Sequence, residues 1–173
     1  LLEEQRLWRE AYEVQTRIAR MRKSEDHSVL AHLQVELGRE ALRAGRADVA
    51  EEAFRTALSL DRRVFPAHLG LAAVWLGRDP RRAAQILENA VAASPERAYL
   101  AFADLEKAYA ACGEPSRFAA LCERLVEKDP RDFRAGLALA RHLRGEGRAA
   151  EALGLLLRAI EAGNAYDGQD RQF

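Results

Sequence analysis

An all-α fold is what this sequence predicts, on three observations. Of the 173 residues, 34 are Ala and only 13 are Val, Ile or Thr. Alanine is the best helix former, whereas strands favour β-branched and aromatic side chains. All five prolines stand at the ends of the helices read below, where a missing N–H does no harm. Small residues and glycines recur at a separation of about 34, the sign of stacked helix–turn–helix units. The length suits one domain with a real core.

In chain order, Leu7-Trp8-Arg9-Glu10-Ala11 reads as the start of a second helix (helix B) in a partial unit, 1–30. Its helix A would lie upstream. A stacked array does not start sensibly on half a unit, and there is no initiator Met, so the chain is expected to be a piece that continues N-terminally. Lys23–Ser28 is charged and reads as a loop. Complete units follow at about 31–64, 65–98, 99–132 and 133–166, each opening with helix A. Their ends are marked by Leu60-Asp61-Arg62, Ala93-Ser94-Pro95 and Lys128-Asp129-Pro130.

In helix A, position seven is Leu37, Leu71, Leu105 and Leu139, and position eleven is Ala41, Trp75, Tyr109 and Leu143. Position eight is Gly38, Ala72, Glu106 and Ala140. Helix B has two small positions, Ala50, Ala83, Ala152 and Ala57, Ala90, Ala159, with Phe54, Leu87, Cys122 and Leu156 between them. The small residues let helices A and B approach, so a bulkier side chain at Ala50 or Ala152 should cost about 1–3 kcal/mol. Gly45, Gly113 and Gly147 mark the turn. Gly77-Arg78-Asp79-Pro80 looks one residue tighter than its siblings. Phe118 and Leu125 replace Ala, and Glu106 replaces a small residue, predicting helices pushed apart and a change of curvature around 99–132. Asn164–Phe173 is polar, a frayed tail over 167–173 or the start of another helix.

This pattern resembles the tetratricopeptide repeat, which implies a single right-handed superhelical solenoid over 1–173. A finer resemblance rests on Leu7–Val14, on Leu30-Ala31-His32 with Glu36-Leu37, and on Gly113-Glu114-Pro115-Ser116-Arg117-Phe118. These are similar to the repeat region of the lipopolysaccharide assembly protein B family, over about residues 1–160. The resemblance implies a non-enzymatic adaptor on the cytoplasmic side of the bacterial inner membrane. It would present the lipid A deacetylase to an FtsH-type membrane protease. It also implies a membrane anchor and a C-terminal zinc module, both outside this chain. No cofactor is expected within the chain itself.

Composition narrows the classes. There are 27 basic and 27 acidic residues, for zero net charge, unlike the basic excess of general nucleic-acid binders. RNA binding through an arginine-lined groove is a third reading, which a steep salt dependence of affinity would support. No apolar run approaches the roughly 20 residues of a membrane span, and no signal peptide is expected from these residues. Cys112 and Cys122 form neither a disulfide framework nor a metal motif and read as small buried hydrophobes. No phosphate-cradling loop or nucleophile motif supports an enzyme. Glu51-Glu52 is placed outward.

Helix A positions two, five, nine and twelve or thirteen line the concave face of such a solenoid. They are His32, Val35, Arg39 and Arg43, then Leu69, Ala73 and Leu76, then Ala103, Lys107 and Ala110, and finally Arg134, Leu137, Arg141 and Arg144. This gives a neutral protein a basic groove with an apolar floor, suited to an acidic or carboxylate-bearing peptide through planar guanidinium forks. The bland alternative is a solvated face balanced by Glu36, Glu40 and Asp104. Reversing Arg39 and Arg141 together is expected to weaken partner binding without unfolding. His32 and Glu36, four apart, make two metal ligands or a helix-surface couple. His68, Trp8 and Trp75 are read as packed, His27 as a loop residue and His142 as a helix flank. A homodimer through the half unit at the N-terminal end is also expected.

Overall fold

The computed structural model describes the backbone of residues 2–22, 27–130 and 132–169, and the side chains of 7–18, 27–130, 132–158 and 160–161. Among these residues the regular structure is helical throughout. The helices are α1 (Leu2–Arg22), α2 (Ser28–Arg43), α3 (Ala47–Leu60), α4 (Phe65–Leu76) and α5 (Pro80–Ala93). A 3-10 helix (Pro95–Leu100) precedes α6 (Phe102–Ala111), α7 (Ser116–Lys128), α8 (Phe133–Gly145) and α9 (Ala149–Gln169). They form two compact units, one up to Ala108 and one from Tyr109, with the border inside α6.

In the first unit α2 packs on α3, α3 on α4 and α4 on α5, while α1 lies against α2. Phe54 of α3 is fully buried at the centre. Its ring runs so close to two glycines that a Cβ on Gly38 would meet Cε1 at 2.6 Å, and one on Gly70 would meet Cζ at 2.3 Å. The absent Cβ atoms are what let the largest side chain of α3 wedge between α2 and α4. Burying such a ring contributes roughly 1.5–3 kcal/mol. Ala50 and Ala57 flank it with no exposure, the close-approach role read from the repeat. Helix α4 is apolar all round save His68, as a helix packed on several sides must be.

In the second unit α7 packs on α8 and α8 on α9. Phe118, Leu121, Cys122, Leu139 and Leu143 supply its core. Phe118 is buried at 1% exposure, so the large residue at a small position is accommodated inside. Leu156 is only half-buried, and so is Leu37 in the first unit.

Three turns share one chemistry. Gly45, Gly113 and Gly147 adopt φ of 71°, 74° and 80°, a left-handed conformation that costs an L side chain about 1–2 kcal/mol. The next N–H reaches back over the helix end: Arg46 to the Ala41 carbonyl, Glu114 to Tyr109 and Arg148 to Leu143, each at 2.9 Å. This is the Schellman closure, which satisfies carbonyls that the helix leaves open. The α4–α5 turn is built differently. Gly77 keeps a helical φ of −86°, and Arg78 and Asp79 both donate to the Trp75 carbonyl at 2.9 and 2.7 Å. Asp79 then caps α5, its Oδ1 accepting from the Arg82 N–H at 3.0 Å, with Pro80 as first helical residue.

Several expectations are corrected. The connection 77–79 is one residue shorter than 112–115 but as long as 44–46 and 146–148, and α4 itself ends one position earlier in its repeat than α2, α6 and α8. Ser28 opens α2 instead of closing the charged loop, whose residues 23–26 lie outside the described ones. The polar C-terminal stretch continues α9 as far as Gln169 instead of starting a tail at 167; residues 170–173 lie outside the described ones. Glu51 is buried at 9% exposure, because its carboxylate folds back onto Arg55 one turn on. Cys122 is buried as expected, whereas Cys112 is half-buried.

Candidate functional site

Helix α8 carries the clearest candidate docking surface among the described residues. Asp132 starts it, with Oδ1 accepting from the N–H groups of Arg134 and Ala135 at 3.1 and 3.2 Å. The first-turn donors are thereby satisfied. The helix buries Ala135, Gly136, Ala138, Leu139, Ala140 and Leu143. On the other side stand Arg134, Leu137, Arg141 and Arg144, all exposed and spaced as one helical face. Leu137 is 53% exposed, and Phe133 at the start of the helix is 62% exposed. The Arg134 guanidinium lies 5.6 Å from the Phe133 ring centroid. No Asp or Glu occurs between 133 and 145.

The other candidate cations have carboxylates on their own helices. Arg39 is held by Glu36 at 2.6 Å, Arg43 by Glu40, and Lys107 by Asp104 at 3.6 Å. Each is an exposed cation with an acid three residues before it, so the balanced reading describes α2 and α6. Glu40 is itself buried, at 4% exposure. Its Oε2 has no hydrogen-bond partner among the described residues.

Val35 is withdrawn from the surface: at 1% exposure it belongs to the core with Phe54 and Leu71, because α4 packs against α2 over that position. Leu69 and Leu76 are half-buried, and Ala73, Ala103 and Ala110 are exposed. His32 is exposed, but its Nδ1 lies 2.8 Å from the Ser28 carbonyl, while Glu36 turns to Arg39. The two are therefore neither a metal pair nor a couple. Among the described residues no group of three or more His, Cys, Asp or Glu is placed to hold a metal ion.

His68 is half-buried, with Nε2 at 3.1 Å from the Arg62 carbonyl. His142 is no flank residue: its side chain is 10% exposed, lies edge-on to Phe118 at 5.9 Å, and has Nε2 at 3.3 Å from Glu146. Trp8 and Trp75 are half-buried. At the α8–α9 turn, hydrogen bonds from Arg148 hold the Glu151 carboxyl below the ordinary carboxylate range. The same bonds raise the Arg148 guanidinium further. Phe133 was missed from the sequence. Its signal was available: an aromatic residue opening a helix that contains cations and no acid.

The fold is that of tetratricopeptide-repeat proteins. Solved structures similar to this chain include MamA, at 18% identity and a TM-score of 0.54, covering 93% of this chain and 91% of that one. A putative kinesin light chain of Podosopora anserina with TPR-like repeats aligns at 20% identity and a TM-score of 0.60, over 95% and 88%. YrrB, described as a TPR protein with an unusual peptide-binding site, aligns at 22% identity and a TM-score of 0.53, over 84% and 73%. No family model and no curated protein sequence matches the chain. Among the described residues no helix is long and apolar enough to cross a membrane.

Proposed function

We propose that the chain is a non-enzymatic peptide-binding scaffold whose α8 face docks an acidic segment carrying an apolar anchor. The observation that carries this reading is the face itself: Arg134, Arg141 and Arg144 around the exposed Leu137 and Phe133, on a helix without a carboxylate. Guanidinium forks would grip the acidic side chains, and the apolar pair would bury the anchor. The peptide binding named for YrrB supports the class of partner. The probe is a synthetic peptide with a central Leu flanked by Glu, titrated calorimetrically. Reversing Arg141 and Arg144 to Glu should weaken it about tenfold or more, since charge-assisted hydrogen bonds contribute about 1.5–3 kcal/mol each. Unchanged affinity with normal helicity overturns the reading.

The finer proposal is an adaptor in lipopolysaccharide synthesis, on the cytoplasmic side of the inner membrane. Its partners would be a lipid A deacetylase and an FtsH-type protease. It is supported by the resemblance at Leu7–Val14, Leu30–Leu37 and Gly113–Phe118. Affinity capture with the full-length protein tests it: recovery of both partners supports the proposal, and recovery of neither refutes it.

A further inference from the structure

Two complete repeats, 31–64 and 133–166, have a cleft beside helix A, on the side away from its arginines. Position eleven of helix A and the residue before the first small position of helix B line both clefts. In 65–98 these are Trp75 and Arg82, and the guanidinium stacks 3.7 Å from the ring centroid. In 99–132 they are Tyr109 and Arg117, at 5.2 Å. Both pairs are aromatic–arginine stacks. In 31–64 the pair is Ala41 and Val49, and a cleft of about 210 Å³ remains.

In 133–166 the pair is Leu143 and Glu151. Glu151 is bonded to Arg148, at 2.8 and 2.9 Å. The cleft between α7, α8 and α9 is about 450 Å³, within the range of sites that hold an organic ligand. Its floor is apolar, from Val126, Pro130, Leu139, Leu143 and Leu155, and Gly136 stands where the smaller cleft has Gln34. Its wall is acidic: Glu123 and Glu127, one turn apart on α7, join Asp132 and Glu151, against Arg148 and Arg158. Arg148 is already held by Glu151 and Glu146, which leaves an excess of negative charge around an apolar hole.

We infer that this cleft is a second peptide site, taking one apolar side chain of a partner segment flanked by Lys or Arg. Its charge preference is opposite to that of the arginine face. The two surfaces lie on opposite sides of α8, because Gly136, Leu139 and Leu143 point about half a turn away from Arg134, Leu137 and Arg141. Two other repeats carry a stacked aromatic–arginine pair at the equivalent positions, so one test is to place the same pair here.

The probes are two synthetic peptides with a central Leu, flanked by Lys in one and by Glu in the other. Amide shifts are followed by NMR on the isotopically labelled chain. The Lys peptide should move the amides of Gly136, Leu143 and Leu155, and the Glu peptide should leave them in place. Reversing Glu123 and Glu127 to Lys, both exposed, should weaken the Lys peptide about fivefold or more. L143W with E151R, which rebuilds the Trp75–Arg82 pair, should abolish its binding. Reversing Arg141 and Arg144 should leave it unchanged, so the two sites fail separately. The inference is overturned if the Lys peptide moves none of these amides, if the Glu peptide moves them equally, or if E123K with E127K binds as the parent does. The last criterion decides even if L143W with E151R does not fold.

Discussion

Helices α2 and α8 hold the same place in their repeats and carry arginine at the same position, Arg39 and Arg141, yet they present different surfaces. In α2 the arginine is paired with Glu36, and the residue four before it, Val35, is in the core at 1% exposure. In α8 no acid is present in the helix, and the equivalent Leu137 is 53% exposed. The difference lies in the neighbours. Helix α4 packs on α2 and covers Val35, whereas among the described residues no helix covers Leu137. One repeat template thus yields a packing element in the first unit and an exposed arginine–leucine face in the second.

The largest expected effects test the packing half of this contrast. Phe54→Ala should cost about 3–5 kcal/mol in urea denaturation. Leu156→Ala, at the same position but half-buried, should cost less than half of that; equal costs would break the contrast. Gly70→Ala, whose new Cβ would sit 2.3 Å from the Phe54 ring, should cost about 1–3 kcal/mol by overpacking. Next come the turns. Gly147→Ala at φ 80° should destabilise by about 1–2 kcal/mol. Gly77→Ala at φ −86°, with nothing within 4 Å of the new Cβ, should be neutral or slightly stabilising. Thermal unfolding of the two variants side by side checks the sign.

The smallest effect is one of pH. Because its carboxyl is held below the ordinary range by Arg148, Glu151 stabilises the fold at and above ordinary carboxylate pH. That contribution is lost as pH falls through the lowered value. The pair is exposed, so the effect is slight. Glu151→Gln should flatten the acid side of the stability profile; an unchanged slope would show that the pair contributes nothing.

Much of the fold was legible because packing at close contacts leaves few choices. Ala50, Ala57, Phe54 and the three turn glycines announce themselves by residue type, since only small side chains and left-handed backbones fit there. The surface was less legible. Position along a helix locates Arg39 and Arg141 equally well, but whether a cation has an acid on its own helix depends on the residue three before it. Whether position five is covered depends on which helix packs over it, and that separates Val35 from Leu137. The open cleft at 133–166 needed two positions read together, Leu143 and Glu151, against Trp75 and Arg82. Neither position alone reveals it.

The most direct test of the central claim compares the two helices in one titration. The Glu-flanked Leu peptide is measured against the parent, R39E, and R141E with R144E. Loss of about tenfold or more on reversing α8, with less than about twofold for R39E, is the predicted result. Equal losses in both variants, or none in either, would contradict it.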